Sequence, residues 1–212
     1  MVLLEVRSLV KRFGEVTALR DLSITVKEGE MVGVIGPNGA GKTTLFNIIS
    51  GIYKADAGQI LYKGEDITHL KPHEICKKGI ARTFQTVRLF MSETVLQNML
   101  VGAFFGRKNR NNYDKIVDEC EEILDFLELR DKKNRLAQDL NTFERKKLEL
   151  ARALSTKPSL LLLDEPLAGL SAAEIAKFVN FLKKIHENNV TILLIEHVLR
   201  AVMPICERII VL

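Results

Sequence analysis

Residues 31–50 read MVGVIGPNGAGKTTLFNIIS, and this stretch decides the fold. Met31–Ile35 is a short apolar, partly β-branched run, the pattern of a buried strand. Gly36, Pro37, Asn38, Gly39, Ala40, Gly41, Lys42 and Thr43 follow as G-x-x-x-x-G-K-[ST] with nothing inserted, and Thr44 extends the run. Leu45, Phe46, Ile48 and Ile49 then recur at helical spacing. A glycine-rich turn between a strand and a helix start is a phosphate cradle. Glycines bring successive N–H groups close to the anion, and the helix adds unpaired N–H groups and a positive dipole end. Lys42 is placed to reach the β- and γ-phosphates, and the Thr43 hydroxyl to ligate a Mg²⁺ that keeps most of its waters.

Around this centre, bulk properties narrow the classes. The chain has 212 residues, of which 47% are hydrophobic, enough to bury a sizeable core. Its 31 basic and 27 acidic residues give a formal charge of +4, a mild excess spread along the chain that argues against a nucleic-acid partner. Cys76, Cys120 and Cys206 are far apart and odd in number, which fits a reducing compartment better than a disulfide framework. The start carries charges too early for a signal peptide, and no apolar run approaches a bilayer-spanning length. The expectation is a soluble chain whose membrane role, if any, comes through a partner.

In chain order, residues 2–7 and 22–26 alternate like strands, with Phe13 in a loop between them. That aromatic either fills the core or stacks on a purine ring. Short strands and a helix near Pro72–Lys78 precede residues 80–85, IARTFQ, a strand ending in Gln85. A neutral amide there either touches a metal or water or is a solvated loop side chain. From 86 to 140 strand signals vanish. Residues 94–102 read helical, 109–112 are polar and loop-like, and Ile116, Cys120, Ile123 and Leu127 mark one helix face over 114–129. Leu89, Phe90 and Met91, at the entry to this helical insertion, are either core or an exposed docking patch.

Asn141 suits an N-cap, and Glu144 completes a capping box for a helix carrying Leu148, Leu150, Ala151 and Leu154. Residues 160–163, LLLL, read as a strand buried on both faces, as in a parallel sheet, and end in Asp164, Glu165 and Pro166. Two acids at the end of an apolar strand suit a cation and a proton acceptor. Ser171 and Glu174 form another capping box, Thr191–Ile195 is a further strand before Glu196 and His197, and residues 208–212 are a last one. His197 either donates to a phosphate oxygen or is structural.

Taken in order, Phe13-Gly14, GPNGAGKTT at 36–44, Phe84-Gln85, LLLLDEP at 160–166 and Glu196-His197 resemble an ATP-binding cassette (ABC) ATPase over essentially the whole chain. IARTFQ at 80–85, RLF at 88–90, TVLQNMLVGA at 94–103 and LELARAL at 148–154 resemble the ATPases of branched-chain amino acid importers. The resemblance implies an α/β P-loop NTPase with a mostly parallel core sheet, an N-terminal antiparallel β region and an inserted all-helical subdomain. It implies one cassette domain, with residues 1–85 and 156–212 as core plus β region and 86–155 as the helical part. Two cassettes would pack head to tail around two ATPs. Lys42 and the loop amides, Gly36 to Thr44, would hold phosphates; Thr43, Asp164 and Gln85 would serve Mg²⁺. Glu165 would be the general base, His197 would grip the γ-phosphate, and Phe13 would stack on adenine. A membrane permease would dock near Leu89, Phe90 and Met91, holding the chain at the cytoplasmic face of the membrane. Alternatives are a weakly hydrolysing regulatory partner in a heterodimer, or a soluble cassette acting on nucleic acid or ribosomes.

The sequence departs from that family in three places. The signature, usually Leu-Ser-Gly-Gly-Gln, falls on Leu140, Asn141, Thr142, Phe143 and Glu144. Phe143 puts a bulky ring where backbone must approach a nucleotide of the opposite subunit, and Glu144 adds negative charge near it. A weakened composite site is the expectation, relieved by Phe143→Gly with Glu144→Gln. Ser171 replaces the usual aspartate after Gly169-Leu170, and cassettes of this group usually continue beyond the strand at 208–212, so the expectation is a trimmed C-terminal end.

Overall fold

The computed structural model describes residues 1–106 and 112–212. Strands β1 (Val2–Phe13) and β2 (Val16–Lys27) form an antiparallel hairpin. Both run past the expected segments 2–7 and 22–26, because Gly14 and Glu15 alone make the turn, Gly14 in the left-handed region at φ 57°. Phe13 therefore ends a strand instead of lying in a loop. Strand β3 (Met31–Ile35) leads through the glycine-rich loop into α1 (Lys42–Ile49). Then come β4 (Ala57–Tyr62), β5 (Glu65–Asp66), α2 (Pro72–Lys78) and β6 (Ile80–Arg82). Strand β6 stops three residues before Gln85, so this glutamine sits in the loop beyond it and not at a strand end.

The middle of the chain is helical: α3 (Val95–Gly106), α4 (Tyr113–Phe126) and α5 (Thr142–Ser155). Helix α4 buries Ile116, Cys120 and Leu124, and Asn112 caps it through its side chain; the loop reading of 109–111 lies outside the described residues. Helix α5 starts at the expected capping box, with Asn141 Oδ1 accepting the Glu144 N–H at 2.9 Å and Glu144 Oε2 accepting the Asn141 N–H at 3.0 Å. The chain closes with β7 (Leu160–Asp164), α6 (Ala172–Glu187), β8 (Thr191–Ile195), α7 (Leu199–Val202) and β9 (Arg208–Val211).

Two sheets result. One is antiparallel, in the order β2-β1-β4-β5; the other is parallel, in the order β6-β7-β8-β3-β9. Alternation along the parallel strands sends side chains to opposite faces. Met31, Leu161, Leu163, Ile192 and Leu194 join a core with α3, α4, α5 and α6. Val32, Val34, Leu160, Leu162, Leu193 and Ile195 join a second core with α1 and the antiparallel sheet. All five residues of β7 and of β8 are buried, and the apolar runs 160–163 and 192–195 within them are what a two-sided parallel sheet requires. No described helix is long and apolar enough to cross a membrane.

Candidate functional site: a phosphate-loop cleft

The register of the parallel sheet gathers the site. Asp164 lies opposite Ile195, and Ile195 opposite Val34, so β7, β8 and β3 end level with one another. The segments leaving these three strands emerge on one edge: Glu165, then Glu196 and His197, then the glycine loop. Ligands of open α/β sheets bind at this carboxyl edge.

The loop geometry depends on residue type. Gly41 has φ +92°, and a Cβ on it would meet the Ala18 carbonyl oxygen at 2.5 Å and Leu19 Cδ2 at 2.6 Å. Only glycine lets the loop lie this close to β2. The Lys42 ammonium folds back onto the carbonyls of Gly36 and Pro37, at 2.8 and 2.9 Å. A polar cavity of about 350 Å³ is lined by Ala18, residues 38–44, Gln85 and Glu165. A second, of about 230 Å³, has Thr43, Gln85 and Asp164 in its wall, with Asn47, Tyr53, Arg82 and Phe84. Thr43 and Gln85 face both, so the two are halves of one cleft.

The acids at the end of β7 differ. Asp164 is 1% exposed, and its Oδ2 accepts from Arg82 Nη2 at 3.0 Å. Burial pushes this carboxyl up; Arg82 pulls it down without overcoming the burial. Its other oxygen, Oδ1, is buried without a hydrogen-bond partner. Such an orphaned acceptor is expensive, and a divalent cation in the cavity beside it would satisfy it. The donor set therefore fits Mg²⁺: one carboxylate oxygen, a Thr hydroxyl and an amide oxygen are hard ligands that leave room for water. Glu165 has both oxygens engaged, Oε2 by Gln85 Nε2 at 2.9 Å and Oε1 by His197 Nε2 at 3.0 Å. Its backbone is left-handed at φ 49°, an uncommon state for a side-chain-bearing residue that turns the carboxylate out of the strand line. The arrangement is an oriented proton acceptor at the rim of a phosphate cradle.

Neighbouring Glu196 stays inside, accepting the Leu167, His197 and Val198 N–H groups. Burial nevertheless holds its carboxyl above the ordinary range.

Other expected residues lie farther out. Phe13 is 44% exposed at the hairpin tip and edge-on to Tyr53, with ring centroids 5.4 Å apart. It lines neither half of the cleft and is not core. Asn141, Thr142, Phe143 and Glu144 form the start of α5, also outside the cleft walls. Phe143 turns inward onto the helical core, 5.2 Å from Lys147 Nζ, and Glu144 is ion-paired with Lys132 besides capping the helix. The charge expected to oppose a nucleotide is thus engaged within the chain.

Sequence reading missed Arg82 and Asn47. Arg82, on β6, donates to Asn47 Oδ1 at 2.7 Å and Ser50 Oγ at 2.9 Å as well as to Asp164. The available signal was an arginine in a short strand bordered by apolar residues, which must find a buried partner.

The sequence profile of the family described as "ABC transporter" matches residues 19–168. The high-affinity branched-chain amino acid transport ATP-binding protein BraF of Pseudomonas aeruginosa is 39% identical over 99% of this chain and 88% of its own length. A solved ATP-binding cassette of an ABC transporter in its ADP conformation is 36% identical and superposes with a TM-score of 0.90, covering 100% of this chain and 87% of that one. A dimeric cassette bound to ADP and Pi in a post-hydrolysis state is 27% identical, with a TM-score of 0.86 over 99% of this chain and 94% of that one. Relatives that align with almost the whole length of the chain thus share its fold, and the chain belongs to the ABC transporter family as one of its ATP-binding cassettes.

Proposed function

We propose that this cassette hydrolyses ATP to power a membrane importer of branched-chain amino acids. The observation that carries hydrolysis is the Glu165 carboxylate, held by Gln85 and His197 at the edge of the loop cleft. Lys42, released from the Gly36 and Pro37 carbonyls, and the N–H groups of residues 38–44 bind the phosphates. Glu165 takes the proton of the attacking water, and His197 and Gln85 orient that carboxylate and the γ-phosphate. Thr43, Asp164 and Gln85 would hold Mg²⁺, which would supply charge neutralisation to the bound phosphates. Phe13 offers its exposed ring to adenine. Catalysis is mostly positioning and charge stabilisation, as phosphoryl transfer requires.

An apolar groove of about 390 Å³ next to the cleft supports coupling to a membrane partner. Phe84, Phe90, Val101, Phe105 and Arg152 are among its walls, and Phe90 is 49% exposed. A permease seated there, near Leu89, Phe90 and Met91, would hold the chain on the cytoplasmic face of the membrane. The pieces 1–85 with 156–212, and 86–155, would then be the nucleotide-binding and permease-facing parts of one domain. A second cassette completes the assembly, with Asn141 and Thr142 turned to its nucleotide.

The test is phosphate release with Mg-ATP over a range of chain concentrations, with Glu165→Gln as the blank. Release that rises faster than linearly is expected of paired cassettes. A rate equal to the blank at every concentration, also after a partner cassette is added, would refute hydrolysis. Cargo is read separately, from leucine uptake by vesicles carrying the chain with its permease; uptake indifferent to the Glu165→Gln change would refute the coupling.

A further inference from the structure

We propose that Glu149 is a positioning residue for this hydrolysis: from α5 it clamps the backbone on both sides of Gln85, and through Gln85 it sets the Glu165 carboxylate. The inference rests on the ATPase reading above.

Helix α5 sends three long charged side chains from one face, Lys146, Glu149 and Arg152, spaced by three. Lys146 is 8% and Glu149 4% exposed. Apolar Leu148, Leu150 and Ala151 already fill the core around them, so packing does not call for a carboxylate. Each of the three grips backbone. Glu149 Oε1 accepts the N–H of Phe84 at 3.2 Å and of Arg88 at 3.3 Å. Arg152 Nη2 donates to the carbonyl of Arg88. Lys146 Nζ donates to the carbonyl of Pro166 at 2.9 Å and to that of Glu165 at 3.4 Å.

Residues 84–88 belong to no helix or strand, so no ladder partners hold their N–H groups. One carboxylate oxygen bridging two of them fixes the loop as a staple does. The Phe84 ring adds to the hold, with the guanidinium carbons of Arg82 and Arg88 at 4.8 and 4.4 Å from its centroid. Gln85 lies inside the stapled segment, and its Nε2 meets Glu165 at 2.9 Å. Meanwhile Lys146 holds the Glu165 backbone from behind. Helix α5 thus grips both segments whose side chains meet at the proton acceptor.

Two variants of the chain decide this. Glu149→Ala removes the acceptor; Glu149→Gln keeps a carbonyl oxygen that can accept both N–H groups. In Glu149→Ala, kcat is expected to fall about tenfold, the rate change that about 1.4 kcal/mol of lost positioning gives. KM and the dissociation constant of a fluorescent ATP analogue should stay within about twofold, and Glu149→Gln should recover most of kcat. The side-chain amide of Gln85 in a ¹⁵N-labelled chain is a second readout, expected to move to the position of an unconstrained glutamine in Glu149→Ala and to return in Glu149→Gln. Loss of nucleotide binding together with kcat, a Glu149→Gln as impaired as Glu149→Ala, or an unmoved Gln85 amide would overturn the proposal. If the unmodified chain releases no phosphate above the Glu165→Gln blank, hydrolysis is refuted instead, and the Gln85 amide alone decides the clamp.

Discussion

Replacing Arg82 by Met should expose the energetics beneath the site. The Arg82 side chain is 6% exposed, and its two terminal nitrogens donate to Asp164, Asn47 and Ser50. Removing one member of a buried ion pair leaves an uncompensated charge and costs about 3–5 kcal/mol. The two hydrogen bonds to Asn47 and Ser50 account for about 1 kcal/mol each of that loss. With an m-value of about 3 kcal/mol/M, the urea midpoint should fall by roughly 1–1.7 M. The deficit should depend on pH. Burial already raises the Asp164 carboxyl above its ordinary 3.8, and without Arg82 it rises further. An acid raised on folding is favoured below its unfolded pKa and penalised as pH climbs through the folded one. The deficit should therefore be smallest below pH 3.8 and grow above it. The decisive measurement is a double-mutant cycle with Asp164→Asn, read by urea unfolding at pH 7. If Arg82 acts through Asp164, the double variant should be more stable than the sum of the singles predicts, by about 2 kcal/mol. Additivity within about 0.5 kcal/mol would refute the pairing argument.

Four further outcomes come from other contacts. Burial pushes Glu30 up, but the Arg208 guanidinium, at 2.8 and 3.1 Å, and the Lys27 N–H outweigh it and hold the carboxyl below 4.5. Its stabilisation is therefore present above pH 4.5 and fades as pH falls through the folded value. Glu30→Gln should lose about 1–3 kcal/mol at pH 7 and converge on the parent in acid; a gap that ignores pH would refute the charge contribution. Gly41→Ala forces a left-handed alanine into the Ala18 carbonyl, so ATP affinity measured by calorimetry should fall at least about tenfold, and unchanged affinity would contradict the loop geometry. At the α5 start, Phe143→Gly should cost about 1–2 kcal/mol by removing a half-buried ring from the edge of the core, whereas Glu144→Gln should leave turnover within about twofold because Lys132 already neutralises that carboxylate. A rise in turnover from Glu144→Gln alone would restore the view that its charge opposes the nucleotide.

The sequence by itself determined what is local. Strand β3, the glycine loop and α1 are contiguous, and their apolar periods and glycine positions set their form with no help from distant residues. The same holds for the capping boxes at Asn141 and Ser171 and for the apolar runs of β7 and β8. Motif order was enough to identify the family. Only the tertiary structure decided who meets whom. The parallel order β6-β7-β8-β3-β9 joins strands far apart in the chain, and that order sets Glu165 between Gln85, 80 residues away, and His197, 32 away. Arg82 reaches Asp164 across 82 residues, and Glu149 reaches Phe84 across 65. No periodicity announces such pairs, because a buried charge is satisfied by whatever the packing brings within hydrogen-bond distance. Residues 140–144 show the converse. Read alone, Phe143 and Glu144 stand against a nucleotide; folded, a core takes the ring and Lys132 takes the charge.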